Sequence, residues 1–412
     1  MQVRKADCSI SYNRLVVKAG TALLTHGSDH LNLQIMSTLV DQIARLHRKG
    51  TQIMLVSSGA VAAGRHVLKA PREGKNVPFK QVLAAAGQGQ LIHTYEQLFG
   101  WHEIPVAQAL LSGKDLNDRL GYLNVRNTLL SLLDLKVIPI INENDVVAVD
   151  ELAGEVFGDN DGLSSMVANL VDADLLVMLG EVDGLYTSDP NINPNAKLIP
   201  LVEDVDPEIQ SMGGAPQNRI GRGGMAAKLK AAKLATASGV EVVIANGLEE
   251  EILTRLCRGE RIGTYFSTTN NKMESRKRWI LSGLSMGAEI VIDDGACNML
   301  SHRNSSLLPA GVKEVRGKFD RGETVSIVDS KRTRIAAGTS NYGSEELHKI
   351  MGAQSNRIGE ILGHQYGEEV IHRSNTCLYQ IIYTKSMSHN QYRIIHCHTY
   401  SKLFIWILIP LR

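Results

Sequence analysis

The sequence predicts an α/β chain: a three-layer αβα sandwich on a mostly parallel sheet, followed by a small, mainly β domain. Three observations predict it. Between Arg14 and about Gly263, short apolar runs alternate with longer stretches of helical periodicity. The runs are apolar throughout rather than at every second residue, the pattern of strands covered on both faces. After the polar stretch Ser267-Thr268-Thr269-Asn270-Asn271 the alternation stops, and short β-like segments broken by glycine turns replace it. These boundaries divide the chain into a first domain at 10–265, a linker at 266–275, a second domain at 276–373 and a tail at 374–412.

In chain order, the strands are LVVK at 15–18, IMLV at 53–56, VIPII at 137–141, DLLVML at 174–179 and EVVIA at 241–245. The helices are Leu31–Arg48, Gln81–Leu98, Leu123–Leu133, Leu163–Leu170 and Met225–Ser238, each with apolar residues three and four apart. Parallel neighbours need a crossover connection, and these helices supply it on both faces of the sheet. Ligands of such sheets bind at the carboxyl ends of the strands. In the second domain EIVID and TVSIV read as strands, and 374–412, without a single acidic residue, reads as a poorly packed extension.

Composition narrows the class. A chain of 412 residues exceeds the roughly 100–200 of one core. With 21% charged and 43% hydrophobic residues it is globular, and 5% aromatics points to an interior of Ala, Val, Leu and Ile. A formal charge of +1 gives no whole-surface preference for nucleic acid or anionic membrane. Cys8, Cys257, Cys297, Cys377 and Cys397 lie far apart with no CxxC pair, against a disulfide framework or zinc knuckle. The N-terminus lacks the apolar core of a secretory signal, and the apolar run Leu403–Leu411 falls short of a membrane span. A cytoplasmic protein without membrane attachment is expected.

Candidate chemistry lies at strand ends. Lys18-Ala19-Gly20-Thr21 closes the first strand, where an ammonium group and backbone amides beside a glycine reach phosphate oxygens; a solvated lysine is the alternative. The segment Val56 to Gly64, with Ser57, Ser58 and two glycines, fits a helix start aimed at an anion or simply a capped one. Asn142-Glu143-Asn144-Asp145 and Gly158-Asp159-Asn160-Asp161 put amides and carboxylates beside an apolar strand, which is costly without partners. A polar amino acid ligand explains them; Asx-turns and N-caps, with Asp161 capping the helix at Leu163, are the alternative. Gly180-Glu181 follows a strand as a nucleotide-edge loop would, and Gly221-Arg222-Gly223-Gly224-Met225-Ala226-Ala227-Lys228 opens a helix with glycine amides and a lysine suited to a polyphosphate. GRGGMA lacks the strand of a dinucleotide fingerprint, no GxxxxGK[ST] is present, and His396-Cys397-His398 has no second pair to complete a metal site.

In order, VVKAGT, VSSGAVAAGR, LAAAGQGQL, LNVRNTL, INENDVVA, GDNDGLS, VDGLYTSDP and GRGGMAAK resemble the amino acid kinase family over residues 14–265, within its glutamate 5-kinase branch. RKRWI, DDGA, SSLLPAGV and GKFDRGE resemble the PUA domain attached to many bacterial members. The resemblance implies the amino acid kinase fold and ATP-dependent phosphorylation of the L-glutamate γ-carboxylate, the first step of proline biosynthesis, with Mg2+ accompanying ATP. It further implies a homo-oligomer and proline as feedback inhibitor. Carried over by position, Lys18 and Lys228 contact the transferring phosphoryl group and Asp161 orients them. Ser58, Asp145 and Asn160 bind glutamate, Asn142 and Asp159 line that pocket, and Gly20, Gly180, Glu181 and Arg222 to Lys228 lie along ATP. A different acceptor (acetylglutamate, aspartate or a nucleoside monophosphate) and RNA binding through the basic run Arg276-Lys277-Arg278 are the competing readings. The chain departs from the family in having Gly180-Glu181 for a Thr-Asp pair, Arg222 for a threonine, and a tail beyond Ser374.

Overall fold

The structure is a computed structural model that describes residues 12–70, 77–148, 160–214, 224–268, 280, 284–303, 305–381, 393–396 and 408–409. The chain divides into two compact units, Met1–Lys272 and Met273–Arg412.

Among the described residues, the first unit holds an eight-stranded sheet. At its centre β1 (Arg14–Ala19) pairs in parallel with β2 (Gln52–Ser57) on one side and with a later strand, Leu175–Gly180, on the other. After β1 come the short α1 (Thr21–Thr25) and α2 (Leu33–Arg48), the latter starting two residues after the sequence expectation because the Asn32 side chain caps Gln34 and Ile35. After β2 come α3 (Ala60–Val67) and α4 (Val77–Gly100). Next are β3 (Val106–Leu111), α5 (Gly113–Asn117), α6 (Arg119–Asp134) and β4 (Ile138–Glu143). Then follow α7 (Asn160–Leu170), β5 (Leu175–Gly180), β6 (Leu201–Val202), α8 (Pro207–Met212) and α9 (Met225–Ala237). The unit ends with β7 (Glu241–Asn246), α10 (Ile252–Cys257) and β8 (Thr264–Phe266). The strand order is β3-β4-β2-β1-β5-β7-β8-β6, parallel except where β8 meets β7.

Alternate residues of the central strands feed two separate cores, as period-two side chains require. Leu15, Val17, Ile53, Leu55, Leu175 and Val177 join one core with residues of α2, α4 and α10. Val16, Met54, Val56, Leu176 and Met178 join the other with residues of α6, α7 and α9. This is the three-layer sandwich. Both faces being covered is why these strands read as unbroken apolar runs.

α3 and α4 touch backbone to backbone. A Cβ on Gly64 would stand 1.8 Å from the Leu83 carbonyl oxygen, and one on Gly87 would stand 2.0 Å from that of Ala60. Only glycine fits at either place, and the contact fixes the height of α4 over the end of β2.

The second unit carries a five-stranded sheet, order β10-β9-β11-β12-β13, from β9 (Leu284–Ile292), β10 (Val312–Arg316), β11 (Thr324–Val328), β12 (Arg334–Thr339) and β13 (Thr376–Leu378). Its neighbours are antiparallel except for β9 with β11. Ile290, Ile292, Val325, Ile327 and Tyr342 centre its core. The sheet continues past Ser374, where the composition changes, because β13 bonds to β12 through Ala336 to Gly338. No helix among the described residues is long and apolar enough to cross a membrane.

Candidate active site

Lys18 sits one residue from the end of β1, between Val56 and Met178 of the flanking strands, and is 2% exposed. Its ammonium reaches Asp161 Oδ1 at 2.5 Å. Lys228, one turn into α9, reaches the other oxygen, Oδ2, at 3.0 Å. Two cations from distant parts of the sequence thus meet on one carboxylate that is itself fully buried. The lysines and Asp161 together carry one excess positive charge, placed at the carboxyl ends of β1 and β5. Burial by itself would raise the Asp161 carboxyl; the fields and hydrogen bonds of the two ammonium groups outweigh it and hold the group below its ordinary value.

Small residues make the space. A Cβ on Gly20 would lie 3.5 Å from Lys18 Nζ, and one on Gly180 would lie 3.7 Å from Lys228 Cε. Each glycine thus lies in contact range of one of the two lysines. Gly224 is the exposed N-cap of α9, and Met225, Ala226 and Ala227 form its half-buried first turn below Lys228. The Glu181 carboxylate lies 3.4 Å from His26 Nδ1, both side chains partly exposed.

Beside the lysines lies a set of side-chain amides. Ser58 follows β2, its N–H still bonded to the Ala19 carbonyl at 3.0 Å, and Gly59 then turns the chain into α3 at φ 112°, a conformation that favours glycine. Asn160, the first residue of α7 and 2% exposed, donates from Nδ2 to Ser58 Oγ and to Asn142 Oδ1, each at 2.9 Å. Asn142, near the end of β4, donates in turn to Gln88 Oε1 at 2.8 Å. Asn160 and Asp161 are consecutive, so the start of α7 joins the amide set to the lysine pair. Asp161 lies inside the first turn rather than before it, with its carboxylate on the lysines, which replaces the capping alternative.

Glu143 and Asp145, 6% and 9% exposed, follow at the end of β4. Burial first, and then the charge of Glu143, pushes the Asp145 carboxyl up to about 7. The Asp145 carbonyl accepts from Gln81 Nε2 at 3.1 Å, so α4 holds this loop as well as Asn142. Arg126, from the LNVRNTL motif, is structural: it pairs with Asp172 at 2.7 Å and bonds the Leu170 carbonyl, tying α6 to the end of α7.

The structure therefore brings Lys18, Lys228 and Asp161 into contact, and joins Ser58, Asn142 and Asn160 to one another. Asp159, Arg222 and Gly223, like Cys397 and His398, lie outside the described residues. Sequence reasoning gave no role to Gln88, although LAAAGQGQL carries it next to the glycine that seats α4.

Residues 13–246 match the amino acid kinase family and residues 288–362 match the PUA domain. A protein of Dehalococcoides mccartyi (strain CBDB1) named glutamate 5-kinase is 50% identical over 364 residues, 88% of this chain and 98% of that one. Proteins of the same name from Herpetosiphon aurantiacus and Shewanella oneidensis are 48% and 44% identical, covering 88% and 89% of this chain and 97% and 98% of their own.

Proposed function

The chain belongs to the amino acid kinase family, and on that premise we propose that it transfers the γ-phosphoryl group of ATP to the side-chain carboxylate of L-glutamate, giving L-glutamyl 5-phosphate in the first step of proline biosynthesis. The observation that carries this reading is the convergence of Lys18 and Lys228 on Asp161, directly beside the amides of Asn160 and Asn142.

The acceptor carboxylate is ionised at neutral pH, so attack needs no general base. The barrier lies in bringing an anionic nucleophile to an anionic polyphosphate, and fixed cations lower it. Lys18 and Lys228 hold the transferring phosphoryl oxygens, and Asp161 aims both ammonium groups. Ser58, Asn142, Asp145 and Asn160 hold glutamate, and the family resemblance assigns Asp159 to the same pocket. Gly20, Gly180, Glu181 and the segment Arg222 to Lys228 run along the nucleotide.

Among the described residues no group of three or more His, Cys, Asp or Glu side chains is placed to hold a metal ion. Mg2+ would arrive on the phosphates of ATP as part of the substrate, where it neutralises charge. A cytoplasmic homo-oligomer inhibited by proline at the glutamate site completes the proposal. ADP release measured across glutamate, acetylglutamate, aspartate and nucleoside monophosphates tests it. Glutamate should be the preferred acceptor, and a preference for any of the others refutes the assignment.

Asp145 gives the reaction a pH signature. A carboxylate, not its acid, holds an ammonium group, so the KM for glutamate is expected to rise as pH falls from 8 to 6, approaching roughly tenfold per unit below the pKa. The sign for stability is opposite: between about pH 4 and 7 the folded state holds more proton than the unfolded one, so this group costs stability as pH rises through that window. Asp145→Asn should bind glutamate weakly and flatten the profile. A wild-type KM independent of pH would remove Asp145 from the amine site.

A further inference from the structure

We propose that Gln88 is a positioning residue that sets the direction of the side-chain amide relay Ser58–Asn160–Asn142–Gln88, and so decides which hydrogen-bonding groups the site shows to the acceptor. The inference rests on the reading of that acceptor as an amino acid.

Every bond in the relay has one sense. Asn160 spends both N–H groups, on Ser58 Oγ and Asn142 Oδ1. Asn142 spends its oxygen on Asn160 and an N–H on Gln88 Oε1. Two consequences follow from the donor and acceptor inventory. Asn160 Oδ1 is left buried with no partner among the described residues. Ser58 Oγ, already accepting, keeps its hydroxyl proton to donate. The site therefore offers an acceptor at Asn160 and a donor at Ser58, complementary to the ammonium and carboxylate of an α-amino acid. A buried amide oxygen left without a bond is costly, and a ligand N–H relieves that cost.

Gln88 is the end of the relay that the ligand does not touch. Turn its amide over and an N–H would face the Asn142 N–H. Asn142 would have to turn in response, then Asn160. Asn160 would then present N–H groups to the substrate ammonium, and the Ser58 proton would be consumed within the relay. Helix α4 brings Gln88 to Asn142: Gly87 lets the helix press against the Ala60 carbonyl, and Gln81 anchors it on the Asp145 carbonyl.

Two variants separate direction from mere packing. Gln88→Leu removes the terminal acceptor, whereas Gln88→Glu keeps an oxygen there and cannot donate. Gln88→Leu is expected to raise the KM for glutamate about tenfold with the KM for ATP within about twofold of wild type, and Gln88→Glu to stay within about threefold for both. In the ligand-free protein, the side-chain amide resonances of both Asn142 and Asn160 should shift in Gln88→Leu. A wild-type glutamate KM in Gln88→Leu, an equal defect in Gln88→Glu, or an unmoved Asn160 resonance overturns the relay. Should the unaltered protein fail to phosphorylate glutamate, the kinase reading falls while the resonances still decide the relay.

Discussion

Lys18→Ala is expected to lower kcat by about 10³-fold while changing the KM for glutamate less than about threefold. The side chain is buried at the end of a central strand, and its ammonium stands 2.5 Å from Asp161. On the proposed reading that is where negative charge gathers in phosphoryl transfer, and water would not replace the buried cation cheaply. The proposal gives glutamate to the neighbouring amides, so its affinity should depend little on this cation. Lys228→Ala should behave similarly, with more effect on ATP because α9 also carries the Gly224 to Ala227 turn. Steady-state kinetics with both substrates varied decides the matter, and turnover of Lys18→Ala near wild type would show that the cation has no part in the chemistry.

Asp161→Ala should be the most damaging single change, because it removes the carboxylate that both lysines share. Two buried ammonium groups would each lose their contact with that carboxylate, a loss of about 3–5 kcal/mol for a broken buried pair. In a unit of this size that lowers Tm by on the order of 10 °C. Turnover should fall with it. MgATP should raise the Tm of the variant by more than it raises that of wild type, since triphosphate oxygens can take the place of the lost carboxylate. The pH dependence follows from the depressed Asp161 pKa: its contribution is complete above the ordinary carboxylate range near 4, and is lost as pH falls through the lower folded value. A variant with wild-type Tm and no extra response to MgATP would mean that the lysines do not depend on Asp161.

Much of this arrangement is legible in the sequence for physical reasons. Strands buried on both faces are continuous apolar runs, so β1, β2, β4, β5 and β7 announce themselves. β3 does not: it lies at the edge of the sheet, exposes part of its length, and its VAQALL offers neither an unbroken run nor a clean alternation. β6 and β8 are two and three residues long, too short for any periodicity to declare them. The polar residues near strand ends stand out because amides and carboxylates beside an apolar strand need partners. Which partners they take is a three-dimensional fact. Nothing in the spacing of residues 18, 161 and 228 says that two lysines share the two oxygens of one aspartate. Gln88 is hidden for a different reason: one of several glutamines on α4, it reads as part of a solvated face, and the close approach of α4 at Gly87 carries it to Asn142.

The most direct measurement of the central claim is trapping of the product. An acyl phosphate formed on the glutamate side chain reacts with hydroxylamine to give γ-glutamyl hydroxamate. With MgATP, glutamate and hydroxylamine present, hydroxamate should form in step with ADP and vanish in Lys18→Ala and Lys228→Ala. ADP release without hydroxamate, or hydroxamate formation undiminished in both lysine variants, would contradict a phosphoryl transfer to glutamate carried by these two cations.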